Sequence, residues 1–550
     1  MICPVYSYTK KDRFIAAVLA AVILLLCLGS LNYDCIWGDD SAAYISEGIA
    51  IADGTFKEHV KLNPMLHPSY LGGSVKDELV YVWGYPLLLS AVYRLAGFDT
   101  ENYSSIIYYK LPSALFLAVM ACCFFLLLRR RFSLGVSAFV TCFFSSSPLF
   151  TENVNSLYSD TVYMGMCMLT LLVLELYLEE KERKRQTVKA LILGVLIWYS
   201  AEVRTNGTVF IAVLLTAQIA ELVHEKNFSK KRLLPLLLPY AVFFILKFVT
   251  ERILLRPVTP NSADFSLGSP DFIAMNTLYY ITELFDFTTE LITSLFNGSL
   301  GRIIDPEKYV ELLPAVFAFS KGLAGLTMLM AVLGIFTRGL KQNQYLTLYV
   351  LGCAVGACLL SFNQGLRYLL GIMPIMALFA VYGYERAFSR LLKKRAGTRR
   401  HRPVCARIAM AAVTVLLCAV SCSAQYRLDS ANIRRLRANG ENIHAGSEGM
   451  YSPCAIEVYD YIKKETPGDA VIAFHKPRAL YLNTGRPGFS YLVNGHDAMD
   501  ADYCILPELF YDSYTEEEAP EWFSSFEVVL RNEELTVMKK ISGKSTAGID

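Results

Sequence analysis

Long apolar runs, parted by short clusters of lysine and arginine, set the frame for anything this chain can fold into. A stretch of about 18 or more apolar residues is long enough to cross the hydrocarbon core of a bilayer as a helix. A window of about 19 residues picks out about eleven such stretches. They lie near 14–33, 105–128, 132–149, 159–178, 188–203, 207–223, 233–250, 314–337, 343–360, 366–385 and 405–424. Only 19% of the 550 residues are charged, against about 25% in soluble domains. The chain therefore reads as an α-helical polytopic membrane protein. The first run is too long for a signal peptide and lacks a small-residue cleavage site, so it reads as a retained span.

Sidedness follows from the basic residues of the short loops. With the N-terminal "KKDR" at 10–13 in the cytoplasm, the clusters at 129–131, 179–186, 224–232, 337–341 and 390–402 all fall on the same side. This parity requires "YVWGYPLLLSAVYRLAGF" at 81–98 not to span; it reads as a membrane-surface or re-entrant hairpin on the outer side. Three pieces then face outward: the loops 34–104 and 251–313, and the tail 425–550. The first 424 residues form the transmembrane domain, and the tail an extracytoplasmic α/β domain. In the tail, "PCAIEVYDYIKKE" has helical spacing and "PRALYLNTGR" reads as a short helix and turn. "DAVIAF", "DYCILP", "FEVVLR" and "ELTVMKK" read as strands. In the second loop, "RPVTPNSADFSLGSPD" is turn-rich and suited to move over a site. Most of the 14 cysteines lie in apolar runs as small packing residues, while Cys454 and Cys504 could pair in an extracytoplasmic tail. No nucleotide-binding fingerprint and no zinc-spaced cysteine pair occurs.

Directly after the first run comes "NYDCIWGDDSAAYISEGIAIADG", residues 32–54. Ala42, Ile45, Ile49 and Ala52 recur at helical spacing, so the stretch reads as a helix lying on the membrane. Asp40, Tyr44, Glu47 and Ile51 share another face, and Gly54 is a natural stop. An acidic, partly desolvated face at a membrane boundary is what a general base requires, because burial disfavours the charged form of a carboxylate. The alternative is local: Asp39 or Asp40 caps the helix.

With an aspartate just after the first span and four residues before a tyrosine, the chain resembles the GT-C superfamily of membrane glycosyltransferases. It is similar in particular to the family 39 and lipid A aminoarabinose transferase type. Three further stretches carry the resemblance: the proline-led "GYPLLLSAVYRLAGFDTENYSSIIYYKLPSALF", the turn "SPLFTENVNSLYSDTVYM" that holds Asp160, and "RYLLGIMPIMALFAVYG" at 367–383. The likeness covers most of residues 10–390 and, more loosely, the tail.

What the resemblance implies is an inverting transfer of a sugar from a polyprenyl phosphate to an acceptor hydroxyl on the outer face. Asp40 takes the position of the general base, with Asp39 beside it as the other candidate, and Asp160 that of the second acidic residue. Arg204 and Arg367 stand at the outer ends of spans, where a guanidinium can hold phosphate bidentately. Their alternative is a snorkelling residue at a span end. Tyr368 and Pro374 match the motif around Arg367, and Glu152 and Asn155 line the same turn as Asp160. Tyr44, Glu47, Glu152, Arg204, Arg367 and Tyr368 are the candidate substrate-binding residues. The lysine of the aminoarabinose transferases has no clear match beyond Lys76, so that donor does not carry over. The superfamily holds metal-using and metal-free members; no ligand set stands out here, with His59 and His67 read as solvated loop residues. The expected partners are a polyprenyl-phosphate sugar, a protein, lipid or glycan acceptor, and membrane lipids, without nucleic acid. The expected site of action is a bacterial plasma membrane. The competing classes are a transporter or flippase and a non-catalytic scaffold. Charges such as Glu175, Lys247 and Glu251 sit near span ends rather than mid-membrane, which disfavours a transport path.

Overall fold

The first helix, α1 (Lys10–Ser30), is set by a capping box. Thr9 accepts the Asp12 amide at 3.1 Å and Asp12 accepts the Thr9 amide at 2.9 Å. The structure is a computed structural model that describes residues 7–62, 82–225, 230–254, 270–300, 306–359, 365–395, 426, 429–439, 443–486, 488–490, 500–509, 511 and 521–541. Further helices follow: α2 (Asp39–Asp53), α3 (Gly84–Ala96), α4 (Leu111–Arg129), α5 (Leu134–Ser145), α6 (Pro148–Asn155), α7 (Ser159–Leu178) and α8 (Arg183–Val203). Beyond these come α9 (Val209–Glu225), α10 (Lys230–Ile253), α11 (Pro270–Leu300), α12 (Pro306–Gly334), α13 (Gln344–Leu359) and α14 (Met373–Arg395).

Among the described residues, seven helical segments are long and apolar enough to cross a membrane: those at 10–30, 106–129, 159–178, 183–203, 205–223, 234–253 and 311–342. The run expected at 132–149 is the pair α5 and α6, bent by 54°. The run at 343–360 is the shorter α13. The run at 366–385 begins as two 3-10 turns, Gly365–Tyr368 and Leu370–Ile372, before α14. The run at 405–424 lies outside the described residues. The expected hairpin at 81–98 is, over its described part, the single helix α3. At about 1.5 Å per residue it is about 20 Å long, too short to span. The expected loop 251–313 contains α11, a helix of 31 residues. Glu283, Asp286 and Glu290 interrupt its apolar pattern, which is why it did not read as a span. The turn-rich stretch before it falls mostly outside the described residues.

The bundle has two chemically different ends. At one, Arg129 pairs with Asp12 at 2.8 Å and Arg130 with Glu175 at 2.8 Å and also with Glu179. Arg131 pairs with Glu175 at 2.5 Å and donates to Asn343 at 2.9 Å. These groups are nearly fully buried. Removing one member of such a set leaves charge without a counter-ion, a loss of about 3–5 kcal/mol. Glu175→Leu is therefore expected to lower the thermal unfolding temperature in detergent far more than the exposed change Glu182→Leu, as followed by intrinsic fluorescence.

The C-terminal part carries α15 (Pro453–Glu465), α16 (Pro477–Thr484) and five strands. These are β1 (Ile472–Phe474), β2 (Gly488–Phe489), β3 (Tyr503–Pro507), β4 (Phe526–Arg531) and β5 (Leu535–Lys540). The sheet order is β2-β1-β3-β5-β4. β1 runs parallel to β2 and β3, and β5 antiparallel to β3 and β4. Every strand and helix expected in the tail is present, with β2 in addition. Cys454 and Cys504, which could have paired in an extracytoplasmic tail, are both free. One sits on α15 and the other is buried at the centre of the sheet.

This unit shares a hydrophobic cluster with the helices. Its Tyr451, Tyr459, Ile462, Ile472 and Val537 belong to the same hydrophobic cluster as Ile23, Ala42, Tyr85 and Leu117 of the helical part. It also covers α2, which is therefore enclosed rather than lying on a surface: residues 41–48 are all buried. The apolar stripe alone could not reveal a second covering layer drawn from more than four hundred residues away.

Two histidines sit in this contact. His475 packs against Trp37 and His59 against Tyr481, with ring centroids 6.0 and 6.1 Å apart. His59 is thus buried, against the expectation of a solvated loop residue; His67 lies outside the described residues. Burial pushes His475 down to about 3, with Lys476 adding, and His59 down to about 4, with Arg478 adding. Their ordinary value is 6.5. Between these limits the unfolded chain binds the protons and the folded one does not, so stability rises with pH across that window. The expected result is an unfolding temperature that drops as pH falls from about 7 to 5. Part of that slope should vanish in His475→Gln.

Candidate functional site

The second end of the bundle gathers charge from four distant segments. Helix α2 starts with Gly38 at its N-cap, so Asp39 and Asp40 are its first helical residues and Asp40 does not occupy the capping position. The side chain of Asp39 lies outside the described residues, as does that of Glu152. The C-terminus of α2 is Gly54 at φ 75°, the expected stop. Asp160 opens α7, Arg204 closes α8, and Arg367 lies in the first 3-10 turn ahead of α14.

Arg367 is the centre of the arrangement. Its Nη1 meets Asp40 Oδ2 at 3.0 Å and its Nε meets Asp160 Oδ2 at 3.0 Å. The other oxygen of Asp160, Oδ1, pairs with Arg204. The Arg367 guanidinium lies 4.0 Å from the ring centroid of Tyr158, and that of Arg204 lies 4.9 Å from the ring of Tyr368. Two carboxylates and two guanidiniums thus balance in charge. They differ in access: the Asp160 side chain is 2% exposed, that of Asp40 34% and that of Arg367 28%. Asp160 is saturated by arginine. Asp40 keeps Oδ1 outside its ion pair and Arg367 keeps Nη2 outside both of its own. Burial lowers the Arg367 value but Asp40 and Tyr44 outweigh it, and the net shift is upward, favouring the charged guanidinium.

The remaining candidates fall around this cluster. Tyr44 is buried one turn beyond Asp40, edge-on to Tyr85 with centroids 5.2 Å apart. Burial pushes its phenol well up, Asp40 adding and Arg204 and Arg367 opposing. Glu47 is fully enclosed and stands about 10 Å along the helix from Asp40. Asn155 joins the cluster only indirectly, accepting from the Asn32 amide at 3.2 Å. Among the described residues, no three His, Cys, Asp or Glu side chains gather to hold a metal.

Three contributors escaped the sequence reading. Tyr158 lies under Arg367, and a Cβ on Gly38 would come within 2.4 Å of its hydroxyl, which explains a glycine immediately before the two aspartates. Lys110 is fully buried, with its Nζ donating to the carbonyls of Asn32 at 2.8 Å and Asp34 at 2.6 Å. Glu202, fully buried two residues before Arg204, pairs with Lys247 at 2.7 Å. For Lys110 the available signal was its place as the sole charge at the start of an apolar run.

No family model matches the sequence, and no curated protein matches it. Solved structures do. ArnT from Cupriavidus metallidurans in the apo state shares the fold with a TM-score of 0.53 and 12% identity, over 96% of this chain and 97% of that one. ArnT from the same organism bound to undecaprenyl phosphate gives 0.51 and 12%, over 96% and 98%. The oligosaccharyltransferase of Archaeoglobus fulgidus in complex with Zn and sulfate gives 0.50 and 12%, over 96% of this chain and 73% of that one. At this identity the likeness is one of fold: a multi-pass helical bundle continued by a small C-terminal sheet.

Proposed function

We propose, on the premise of the GT-C fold shared with these structures, that the chain is a membrane glycosyltransferase. It moves a sugar from a polyprenyl-phosphate donor to a hydroxyl of an extracytoplasmic acceptor, with inversion. The observation that carries this reading is the exposed edge of the ion cluster, where a carboxylate and a guanidinium 3.0 Å apart each keep, among the described residues, a polar atom outside their ion pairs. One can take a proton while the other holds phosphate.

In this mechanism Asp40 Oδ1 accepts the proton of the acceptor hydroxyl. The acceptor oxygen attacks the anomeric carbon as the bond from that carbon to the phosphate oxygen breaks. The electron pair leaves with the polyprenyl phosphate. A phosphate is already a good leaving group, so the step calls for cationic stabilisation and not for a general acid. Arg367 supplies the accessible charge. Arg204, 8% exposed, supports it from behind through Asp160. Asp160 orients both guanidiniums and does not reach the reacting atoms. That one fold includes a protein bound to undecaprenyl phosphate supports the choice of a lipid-linked donor. The paired basic clusters at the opposite end of the bundle support a cytoplasmic N-terminus and an extracytoplasmic Asp40.

The test is direct. Purified protein is incubated with a panel of polyprenyl-phosphate sugars, and released polyprenyl phosphate is measured. Release with at least one donor is expected. A folded protein that releases none, or that moves labelled lipid across sealed vesicles without forming product, overturns the reading.

A further inference from the structure

The C-terminal unit touches the very segment that delivers Asp40. Between α1 and α2 the chain runs through eight residues, 31–38, without helix. Both sides of this connector are held. From the bundle, Lys110 binds the carbonyls of Asn32 and Asp34, and also Asn155 Oδ1 at 3.3 Å. Asn155 in turn donates to the Ser30 carbonyl at 3.0 Å. From the C-terminal unit, a one-residue bridge joins Cys35 to Gly449. The Cys35 amide donates to Glu448 O at 3.1 Å and the Met450 amide to Cys35 O at 2.7 Å. Asp34 accepts from the Glu448 amide at 3.2 Å and pairs with Arg435 at 3.3 Å. Trp37 then stands edge-on to Phe474 at the end of β1, centroids 5.6 Å apart.

Gly449 makes this bridge feasible. Its φ is 76°, in the left-handed region, and a Cβ there would fall 2.0 Å from the Cys35 carbonyl oxygen. No other residue fits without opening the bridge.

We propose, resting on the transferase reading above, that Lys110 and Gly449 are positioning residues for Asp40: together they fix the 31–38 connector and so set where the base stands against the phosphate-holding arginines. Arg204 and Arg367 belong to other segments, and Asp160 holds both of them independently of the connector. A misplacement of about 1 Å in a reacting group lowers the rate about a hundredfold. The C-terminal unit is thus a structural member of the catalytic site.

The experiment compares wild-type full-length protein with Gly449→Ala and Lys110→Met. Released polyprenyl phosphate gives kcat, and binding of polyprenyl phosphate alone gives donor affinity. The expected result is a kcat lowered about ten- to a hundredfold with donor affinity within about twofold of wild type. Amide hydrogen exchange over residues 35–43 is expected to accelerate in Gly449→Ala, while exchange over α7 and α8 stays unchanged. Should either variant fail to accumulate, Arg435→Gln removes the pair with Asp34, together with a bond to the Gly446 carbonyl, from a partly exposed side chain and should give the same split at about threefold. An unchanged kcat, a parallel loss of donor affinity, or unchanged exchange over 35–43 overturns the proposal. If the wild type releases nothing with any donor, the transferase reading fails by itself, and the exchange measurement still decides whether Gly449 holds the connector.

Discussion

Asp40→Asn is expected to lower kcat about 10²–10⁴-fold while leaving the fold and the affinity for polyprenyl phosphate near wild type. The substitution is isosteric. An asparagine oxygen can still accept from Arg367, which lies 3.0 Å from Asp40 Oδ2, so the guanidinium keeps its place between α2 and α7. What disappears is basicity at Oδ1, the oxygen outside the ion pair with Arg367. The loss must therefore appear in kcat. Equal losses in kcat and donor affinity would mean that Asp40 works mainly by holding Arg367. The measurement is polyprenyl phosphate release by purified variants matched for folded protein, with binding of polyprenyl phosphate followed separately. Asp39→Asn is the necessary companion. A loss at Asp39 in place of Asp40 moves the base by one residue. A rate within a few-fold of wild type for both removes the general base from the mechanism.

The parts of this site that were legible in the sequence share one physical property. Asp160, Arg204 and Arg367 each stand at the boundary of an apolar run, where an isolated charge is expensive and must find a partner or a ligand. Asp40 and Arg367 are 327 positions apart; that argument marked the arginine, while the resemblance gave Asp40 and Asp160 their expected roles. Sidedness then placed them at one end of the bundle. The tail was legible because its strands and helices have local periodicity. The covering of α2 was not legible. Nothing in "SAAYISEG" distinguishes a helix lying on lipid from one roofed by another layer, since both ask for an apolar face. Lys110 was hidden for a related reason: a lysine opening an apolar run reads as a snorkelling side chain, and only the fold turns it inward onto two carbonyls. Whether Cys454 and Cys504 pair was open in the sequence, because composition says nothing of which faces of α15 and β3 meet. In α11 the acidic residues broke the pattern on which span recognition depends.

Arg367→Met is expected to be the other large loss, and of a different kind. Methionine roughly matches the length of the arginine stem but supplies no donor and no charge. Asp160 keeps its bond to Arg204 through Oδ1 and loses the one at Oδ2. Asp40 loses its counter-ion. The cluster passes from balanced to net negative, with one arginine against two carboxylates, and an incoming phosphate now meets repulsion at the edge where it formerly met a cation. Affinity for polyprenyl phosphate should fall about 10²–10³-fold, and kcat/KM by at least as much. Arg367→Lys should recover only part of this. An ammonium puts its donors on one nitrogen and cannot reach the separate positions that Nε and Nη1 take against Asp160 and Asp40 while also holding a phosphate in a fork. Because Arg367 and Asp40 are in direct contact, the double change Asp40→Asn with Arg367→Met should lose less than the sum of the two singles in free energy. Titration of the purified variants with polyprenyl phosphate, beside their rates of release, separates the possibilities. If affinity survives in Arg367→Met while kcat collapses, the arginine serves only to orient the base, and the phosphate must be held elsewhere.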